Sequence, residues 1–248
     1  MGNVNILEKR MIKYEVSVKQ TAKFIMMLLI LSLAYVMPAA TTKKIQQVST
    51  VPQKTVTVIL DAGHGADDSG KVGINQVLEK DINLEIAKYV KEFLENEGIN
   101  VVMTREDDSP LYQSSERNKK LADMKKRIQI MVDCDADIAV SIHQNSFQNT
   151  TSCGPQVFYY EKSKEGKALA SHILNSMNNS LDISDPRTIK SNLDYYILKN
   201  STAPAVIVEC GFLSNPTETK LLSDEHYQLK LCRSIYLGII NYLDQKSS

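Results

Sequence analysis

The sequence has 248 residues, with 29 basic and 29 acidic side chains, so its formal net charge at pH 7 is zero. This balance gives no sign of the basic surface that nucleic-acid-binding proteins carry, and we predict no nucleic-acid partner. The cysteines at positions 134, 153, 210 and 232 are too few and too scattered for a disulfide scaffold, and they disfavour a metal site built on sulfur, although an exported chain could still pair some of them.

The first segment of the chain is typical of an export signal. Basic residues between positions 9 and 23 precede an uncharged apolar run at residues 24–37, and Pro-Ala-Ala follows at residues 38–40. The run is shorter than the roughly 20 residues that span a bilayer comfortably, which favours a cleaved signal, whereas the long basic lead-in favours an uncleaved membrane anchor. We therefore predict a signal peptide or anchor over residues 1–40, and a polar linker over residues 41–54.

The remaining residues, 55–248, are enough for one domain with a sizeable core. Its first predicted element is a buried strand over residues 56–60, which stops at a turn where His64 lies between two glycines. After a long loop, the spacing of apolar residues predicts an amphipathic helix over Lys80–Glu97, with Gly98 just past its end.

Strands and helices then alternate to the end of the chain. Further strands are predicted at residues 100–104, 137–142, 156–160, 195–198 and 205–209, and further helices at residues 116–132, 164–177 and 224–243. This alternation predicts an α/β fold, a three-layer sandwich in which helices flank a mostly parallel or mixed central sheet of about six strands. The tyrosines at 195 and 196 are therefore interpreted as strand packing more readily than as a platform for a sugar, although one edge could face a glycan.

Polar side chains stand at the ends of three predicted strands. His64 follows the first strand, His143 follows the strand over residues 137–142, and Glu209 ends the strand at residues 205–209. The working crevice of an open α/β sheet lies outside the carboxyl ends of its strands, so we expect the three groups to converge.

Glu79 lies where the loop of residues 67–78 returns to the sheet edge, at the mouth of the first helix. Taken alone, a glutamate there is most simply a carboxylate that the helix dipole favours. Together with His64 and His143 it can complete a set of two histidines and one carboxylate, which zinc hydrolases use while they keep a position open for water.

Four sequence blocks carry a resemblance to one family. They are LDAGHG at residues 60–65, VLEKD at residues 77–81, SIHQNS at residues 141–146 and VECGFLSNP at residues 208–216. In this order they resemble the zinc-dependent N-acetylmuramoyl-L-alanine amidases of bacterial cell walls, the amidase-3 family. Gln144 stands where a small residue is more usual, and residues 131–134 lack the expected Ala-Asn, but neither departure touches a predicted ligand.

The resemblance implies that His64, Glu79 and His143 bind Zn²⁺ and that Glu209 is the catalytic carboxylate. Zinc can lower the pKa of a bound water from about 15.7 to about 7 and polarise a carbonyl, but a base must still move the proton. Glu209 can accept that proton and pass it to the leaving amine, unless it is a fourth ligand or a salt-bridged residue at the sheet end. Asp61 can orient an imidazole from outside the ligand set, or it is a plain turn residue, and Asn145 is the other candidate for such an outer role.

The function that these observations predict is that of an exported cell-wall hydrolase. Its substrate would be peptidoglycan, cut between N-acetylmuramic acid and L-alanine, and its short architecture resembles the germination-specific type that acts on spore cortex before muramic lactam forms. The predicted location is the cell wall or spore cortex space, either secreted or anchored in the membrane. Since no wall-binding module is evident, we expect an exported activating protein that orders the Glu79 side of the site. The alternatives are a zinc carboxypeptidase acting on wall peptides and a non-catalytic peptidoglycan-binding scaffold.

Overall fold

The computed structural model describes residues 19–29, 55–181, 183 and 185–247. The chain divides into two units, Met1–Gln53 and Lys54–Ser248. Residues 19–29 of the first unit are helical, so the start of the predicted apolar run is helical, while residues 30–40 and the predicted linker lie outside the described residues. No helix in the described part of the chain combines the length and the apolar character needed to cross a membrane.

The second unit is built on a mixed sheet of six strands. In chain order they are β1 (Thr57–Ala62), β2 (Asn100–Met103), β3 (Ile138–Asn145), β4 (Gln156–Tyr160), β5 (Lys190–Asn192) and β6 (Ala205–Phe212). Their order across the sheet is β2-β1-β3-β6-β4-β5. Neighbours are parallel except for β6 and β4, which pair antiparallel. The predicted α/β sandwich with a mixed central sheet is confirmed.

Helices cover both faces of this sheet. They are α1 (Glu79–Asn96), α2 (Lys119–Asp133), α3 (Lys164–Ser180), α4 (Tyr196–Asn200), α5 (Pro216–Leu222) and α6 (Glu225–Ser247). The larger core lies between the sheet and α1, α3 and α6, and a smaller core lies between the opposite face and the helices α2 and α4.

The alternation of side chains along the strands decides which face carries the polar groups. Ile59, Ala139 and Ile207 belong to the smaller core. Because successive residues of a strand point to opposite faces, the residues two or four positions further on return to the same face. Asp61, His143 and Glu209 therefore share the face covered by α2 and α4, toward the carboxyl ends of β1, β3 and β6.

Two predicted strands are longer than the sequence indicated. β3 continues to Asn145 and β6 continues to Phe212, so His143 and Glu209 lie within strands and not at their ends. The two residues face each other in the parallel register of β3 and β6. Strand pairing thus fixes both backbones rigidly, which places the two side chains more precisely than a loop would.

The predicted strand at residues 195–198 is wrong, because this segment forms the short helix α4. The side-chain oxygen of Asn192 accepts the backbone N–H groups of Asp194 and Tyr195, which turns the chain into a helix. The sixth strand is instead the edge strand β5. Helix α5 was also missed, although Asn215 caps it and proline occupies its first turn.

Candidate metal centre

Three side chains from distant parts of the sequence meet at one point above the sheet. His64, Glu79 and His143 each offer a ligand atom, and these atoms all lie within 4.8 Å of one another. The Oε1 atom of Glu79 is 3.2 Å from Nε2 of His64 and 3.0 Å from Nδ1 of His143. The two imidazole centroids are 5.0 Å apart. Two imidazoles and one carboxylate form a donor set that suits a divalent metal.

Two glycines make this close approach possible. A Cβ atom on Gly63 would lie 2.3 Å from atoms of the His143 ring, and a Cβ atom on Gly70 would lie 2.6 Å from Oε2 of Glu79. Gly70 also has a positive φ of 67°, which favours glycine. His64 itself has a φ of 62°, so the turn after β1 holds a non-glycine residue in a left-handed conformation. The lack of a side chain at Gly63 and Gly70 therefore leaves space for the donor side chains.

Glu79 is held in its charged form. It is the first residue of α1, its side chain is 2% exposed, and its two oxygens accept the backbone N–H groups of Lys71 at 2.7 Å and Gln144 at 3.1 Å. Burial raises the pKa of Glu79, but the hydrogen bonds and charges of His143 and His64 outweigh burial and lower the pKa. The site thus presents an anionic oxygen between the two imidazoles.

The imidazole of His64 has a second carboxylate partner that sequence reasoning missed. Its Nδ1 atom lies 3.0 Å from Oδ2 of Asp68. Backbone hydrogen bonds between Gly65 and Asp68 fold the loop back and bring this carboxylate beside the ring. Burial lowers the pKa of His64, but the nearby carboxylates of Glu79 and Asp68 outweigh burial and raise the pKa. Asp68 therefore fixes the orientation of the ring.

The sequence suggested Asp61 for that orienting role, and the structure places it elsewhere. Asp61 accepts hydrogen bonds from Thr104, Ser141 and, at 2.6 Å, from Nη1 of Arg127. Burial raises the pKa of Asp61, but Arg127 and the two hydroxyls bring the pKa down to about 2. Arg127 in turn donates to the backbone oxygen of His64 at 2.6 Å. Asp61 thus supports the turn through Arg127 and makes no recorded contact with an imidazole.

The hydrogen bonds of Asn145 are to the chain that follows β3 and to the end of β6. Its side-chain oxygen accepts the backbone N–H of Ser146 at 2.8 Å, and its backbone oxygen accepts the N–H of Leu213. The contacts of Asn145 therefore organise the chain after β3. The sequence shows only that Asn145 lies two residues after His143. It does not distinguish a side chain that orders the following turn from one that contacts a metal ligand.

Glu209 lies beside the three donors but differs from Glu79 in its environment. Its Oε2 atom is buried and has no hydrogen-bond partner among the described residues. Burial raises the pKa of Glu209 to about 7, and the charge of Glu79 raises it too, against a smaller lowering by the two histidines. A carboxyl group with this pKa can both accept and release a proton near neutral pH.

A cleft with a cavity volume of about 580 Å³ opens above these groups. It reaches His64, His143 and Glu209. Its lining includes Tyr195, Tyr196 and Ile197 around the start of α4, and Tyr112, Lys119 and Lys120 at or before the start of α2. The interpretation of the two tyrosines as part of a strand is wrong, because they begin the helix α4, and both line the cleft. The ring of Tyr195 rests edge-on against Phe158, with centroids 5.4 Å apart.

The chain is similar to known proteins over most of its second unit. Residues 58–241 match the N-acetylmuramoyl-L-alanine amidase family amidase-3. A germination-specific N-acetylmuramoyl-L-alanine amidase of Bacillus subtilis (strain 168) is 36% identical over 200 residues, which cover 79% of this chain and 84% of that protein. The CwlD amidase of Clostridioides difficile, solved in complex with the GerS lipoprotein, is similar with a TM-score of 0.75 and 40% identity, over 77% of this chain and 100% of that one. The catalytic domain of the amidase CwlV of Bacillus (Paenibacillus) polymyxa is similar with a TM-score of 0.67 and 33% identity, over 77% of this chain and 99% of that one.

Proposed function

The chain belongs to the N-acetylmuramoyl-L-alanine amidase family and is an enzyme of that activity, and from this premise we propose that His64, Glu79 and His143 bind the zinc ion that it uses. The observation that carries the proposal is the convergence of two imidazoles and a buried carboxylate within 4.8 Å. Gly63 and Gly70 support it, because a side chain at either position would fill the space that the donors occupy. Three protein ligands leave a coordination position for water, as catalytic zinc sites require.

The proposed reaction hydrolyses the amide bond between N-acetylmuramic acid and L-alanine of peptidoglycan. Zinc in this site would supply Lewis acidity, which activates a water molecule and polarises the amide carbonyl. Glu209 accepts the proton that the attacking water loses, and it then donates this proton to the amine nitrogen of the leaving L-alanine. Its buried Oε2 atom has no other hydrogen bond in the described part of the chain, and burial raises its pKa to about 7 in the metal-free protein.

Replacement of the two glutamates separates these roles. We expect Glu209→Gln to keep about one zinc per chain and to lose turnover on the order of a hundredfold or more, because only proton transfer is removed. Glu79→Ala should lose zinc affinity as well as turnover. Zinc content and the release of stem peptides from purified peptidoglycan are measured on the same samples. Glu92→Gln, the same change on the exposed side of α1, serves as the control and should leave both unchanged.

Equal zinc loss in Glu209→Gln and Glu79→Ala would make Glu209 a ligand and refute the division of labour. The atoms that surround the zinc ion give a second test. X-ray absorption should show nitrogen and oxygen neighbours. A zinc–sulfur distance near ~2.3 Å would contradict the ligand assignment.

We further propose that the enzyme is exported and acts on spore cortex. The similarity to a germination-specific amidase supports this assignment, and so does the apolar segment at residues 24–37 after a basic lead-in. Whether that segment is removed or stays as an anchor is decided by the N-terminal sequence of the mature protein. Mass spectrometry of cortex muropeptides from spores that lack the protein should show muramic acid that retains its peptide and little muramic lactam. Normal lactam content in such spores would refute the cortex role.

An exported lipoprotein is the partner we propose, as in the similar amidase solved with such a protein. The loop of residues 67–78 supports the idea, because its Lys71 N–H holds one oxygen of Glu79. If the competent loop conformation is only fractionally populated, the apparent zinc affinity falls by that fraction until a partner selects it. Zinc affinity and turnover of the full chain should both rise when the lipoprotein is added. Full zinc occupancy and rapid digestion without it would remove the need for a partner.

A further inference from the structure

A second groove lies next to the catalytic cleft. It runs between residues 111–118 and the first half of α2, with a cavity volume of about 840 Å³. Tyr112 lines both this groove and the cleft that reaches Glu209. A chain-like ligand that enters the cleft can therefore continue past Tyr112 into the groove. We call this second cavity the α2 groove.

The α2 groove has an excess of positive charge. Arg117, Lys125 and Lys126 line it, and Glu116 is the acidic residue among its lining side chains. All three cations are exposed, and no ion pair is recorded for any of them within the described residues. Since the chain as a whole has no net charge, this excess is a local feature.

The neighbouring lysines of α2 are used differently. Lys119 lies 2.8 Å from Asp67, and Lys120 lies 3.7 Å from Asp68, so both are paired with the loop that carries the metal donors. Each of the two thus already has a carboxylate partner within the protein. Arg117, Lys125 and Lys126 are the cations that remain available to a ligand on this side of the molecule.

The cleft beside Glu209 and the α2 groove therefore differ in the chemistry of their lining. Beside Glu209, around the start of α4, the cleft presents two phenol rings and one aliphatic side chain, those of Tyr195, Tyr196 and Ile197. The substrate has the same polarity, because the scissile bond joins an uncharged sugar unit to a peptide with free carboxylates. Matching charges place the peptide on the side of α2 and the sugar on the side of the tyrosines.

We propose that the α2 groove is a binding subsite for the carboxylates of the stem peptide, held by Arg117, Lys125 and Lys126. The proposal rests on the proposed amidase function and adds the direction in which the substrate lies. Exposed ion pairs are individually weak, so each cation contributes modestly to substrate affinity. The chemical step should be unchanged, because none of the three cations acts on the scissile bond.

The test uses the full chain with Lys125→Gln and Lys126→Gln combined. The matched control combines Lys164→Gln and Lys167→Gln, two exposed lysines of α3 on the opposite face of the sheet. We expect the groove variant to raise the apparent KM for peptidoglycan by about tenfold with kcat unchanged, since each exposed pair is worth a few-fold in affinity. The control variant should match the wild type in both parameters.

Direct binding separates this proposal from the catalytic one, because it needs no turnover. Calorimetry compares a soluble stem peptide that has free carboxylates with the same peptide after its carboxyl groups are amidated. The wild type should bind the free peptide about tenfold more tightly than the amidated one, and the groove variant, in which only Arg117 remains, should lose most of this difference. A variant that loses affinity for both peptides alike, or for neither, overturns the proposal. The proposal also fails if the variant keeps its KM and loses only binding to vesicles of anionic lipid, since the groove would then serve a membrane surface.

Discussion

Glu79 and Glu209 show how one residue type takes two electrostatic states in the same cleft. Glu79 has hydrogen bonds from two backbone N–H groups and contacts with two imidazoles, so its pKa is lowered despite burial. Glu209 is half-buried at the cleft, but its Oε2 atom is buried without a hydrogen-bond partner in the described part of the chain, and its pKa rises to about 7. The environment, and not the residue type, thus separates a carboxylate suited to hold a cation from one suited to move a proton.

Asp68 offers a test at the same scale, because it touches His64 without being placed in the donor set. Its carboxylate fixes the imidazole at 3.0 Å, and the loss of such a partner typically costs about 10- to 100-fold in metal affinity. We expect Asp68→Asn to weaken zinc binding by that factor, while turnover per bound zinc changes little. Competition with a chelator measures the affinity, and the rate is taken at saturating zinc.

The neighbouring residue Asp67 provides the control. Its carboxylate bonds Lys119 and Tyr112 and has no recorded contact with His64. Asp67→Asn should therefore keep the zinc affinity of the wild type. If both substitutions weaken zinc binding equally, the effect comes from the loop as a whole and not from the contact with the imidazole.

At the scale of elements, the turn after β1 depends on a glycine, because there is no room for a side chain at Gly63. A Cβ atom on Gly63 would meet the ring of His143 at 2.3 Å, a distance that real Cβ contacts essentially never show. Because His143 is held within β3 by its pairing with β6, the ring cannot move away without leaving the donor set. The glycine is thus a requirement of the site and not only of the turn.

We accordingly expect Gly63→Ala to abolish tight zinc binding while the fold is retained. Gly98→Ala is the matched control, since a Cβ atom there meets nothing within 4 Å although its φ is 76°. That substitution should cost about 1 kcal/mol of stability through backbone strain and leave zinc affinity unchanged. Circular dichroism verifies the fold, and calorimetry measures zinc binding. Normal zinc affinity in Gly63→Ala would show that the ring of His143 has more freedom than its strand position allows.

At the scale of the whole molecule, the two faces of the sheet have different tasks. Helices α1, α3 and α6 bury one face in a continuous apolar core. The other face has a smaller core under α2 and α4, and polar groups take its place toward the carboxyl ends of the strands. The buried pair of Asp61 and Arg127 joins β1 to α2 at this boundary, with both side chains at most 2% exposed. The pair therefore ties the cleft wall to the sheet.

This pair predicts how the stability of the metal-free protein depends on pH. The pKa of Asp61 is lowered from 3.8 to about 2 in the folded state, so its contribution is complete above about pH 4 and disappears as the pH falls toward 2. Asp61→Asn should lower the free energy of unfolding at pH 7 by about 3 kcal/mol, because Arg127 loses a buried partner. The variant should also show a smaller loss of stability between pH 4 and pH 2. Urea unfolding across this range measures both effects, and parallel pH curves for the two proteins would contradict the assignment.

The helices, the strands and their order could largely be predicted from short stretches of the sequence. Runs of β-branched residues predicted β1, and apolar spacing predicted α1 to within one residue at each end. The order of strands and helices gave the sandwich, and the direction of the strands predicted that His64, His143 and Glu209 would converge. These features follow from periodicity and from the geometry of a sheet, which a short window of sequence contains.

The tertiary structure alone decided the partners of the site residues. The bond between Asp61 and Arg127 joins residues 66 positions apart, and the Asp68 contact depends on a loop that folds back through its own backbone hydrogen bonds. The two tyrosines at 195 and 196 became a cleft wall because Asn192 turned their segment into a helix. Such contacts are set by which surfaces pack together across the sheet, and no local pattern of residues encodes that packing.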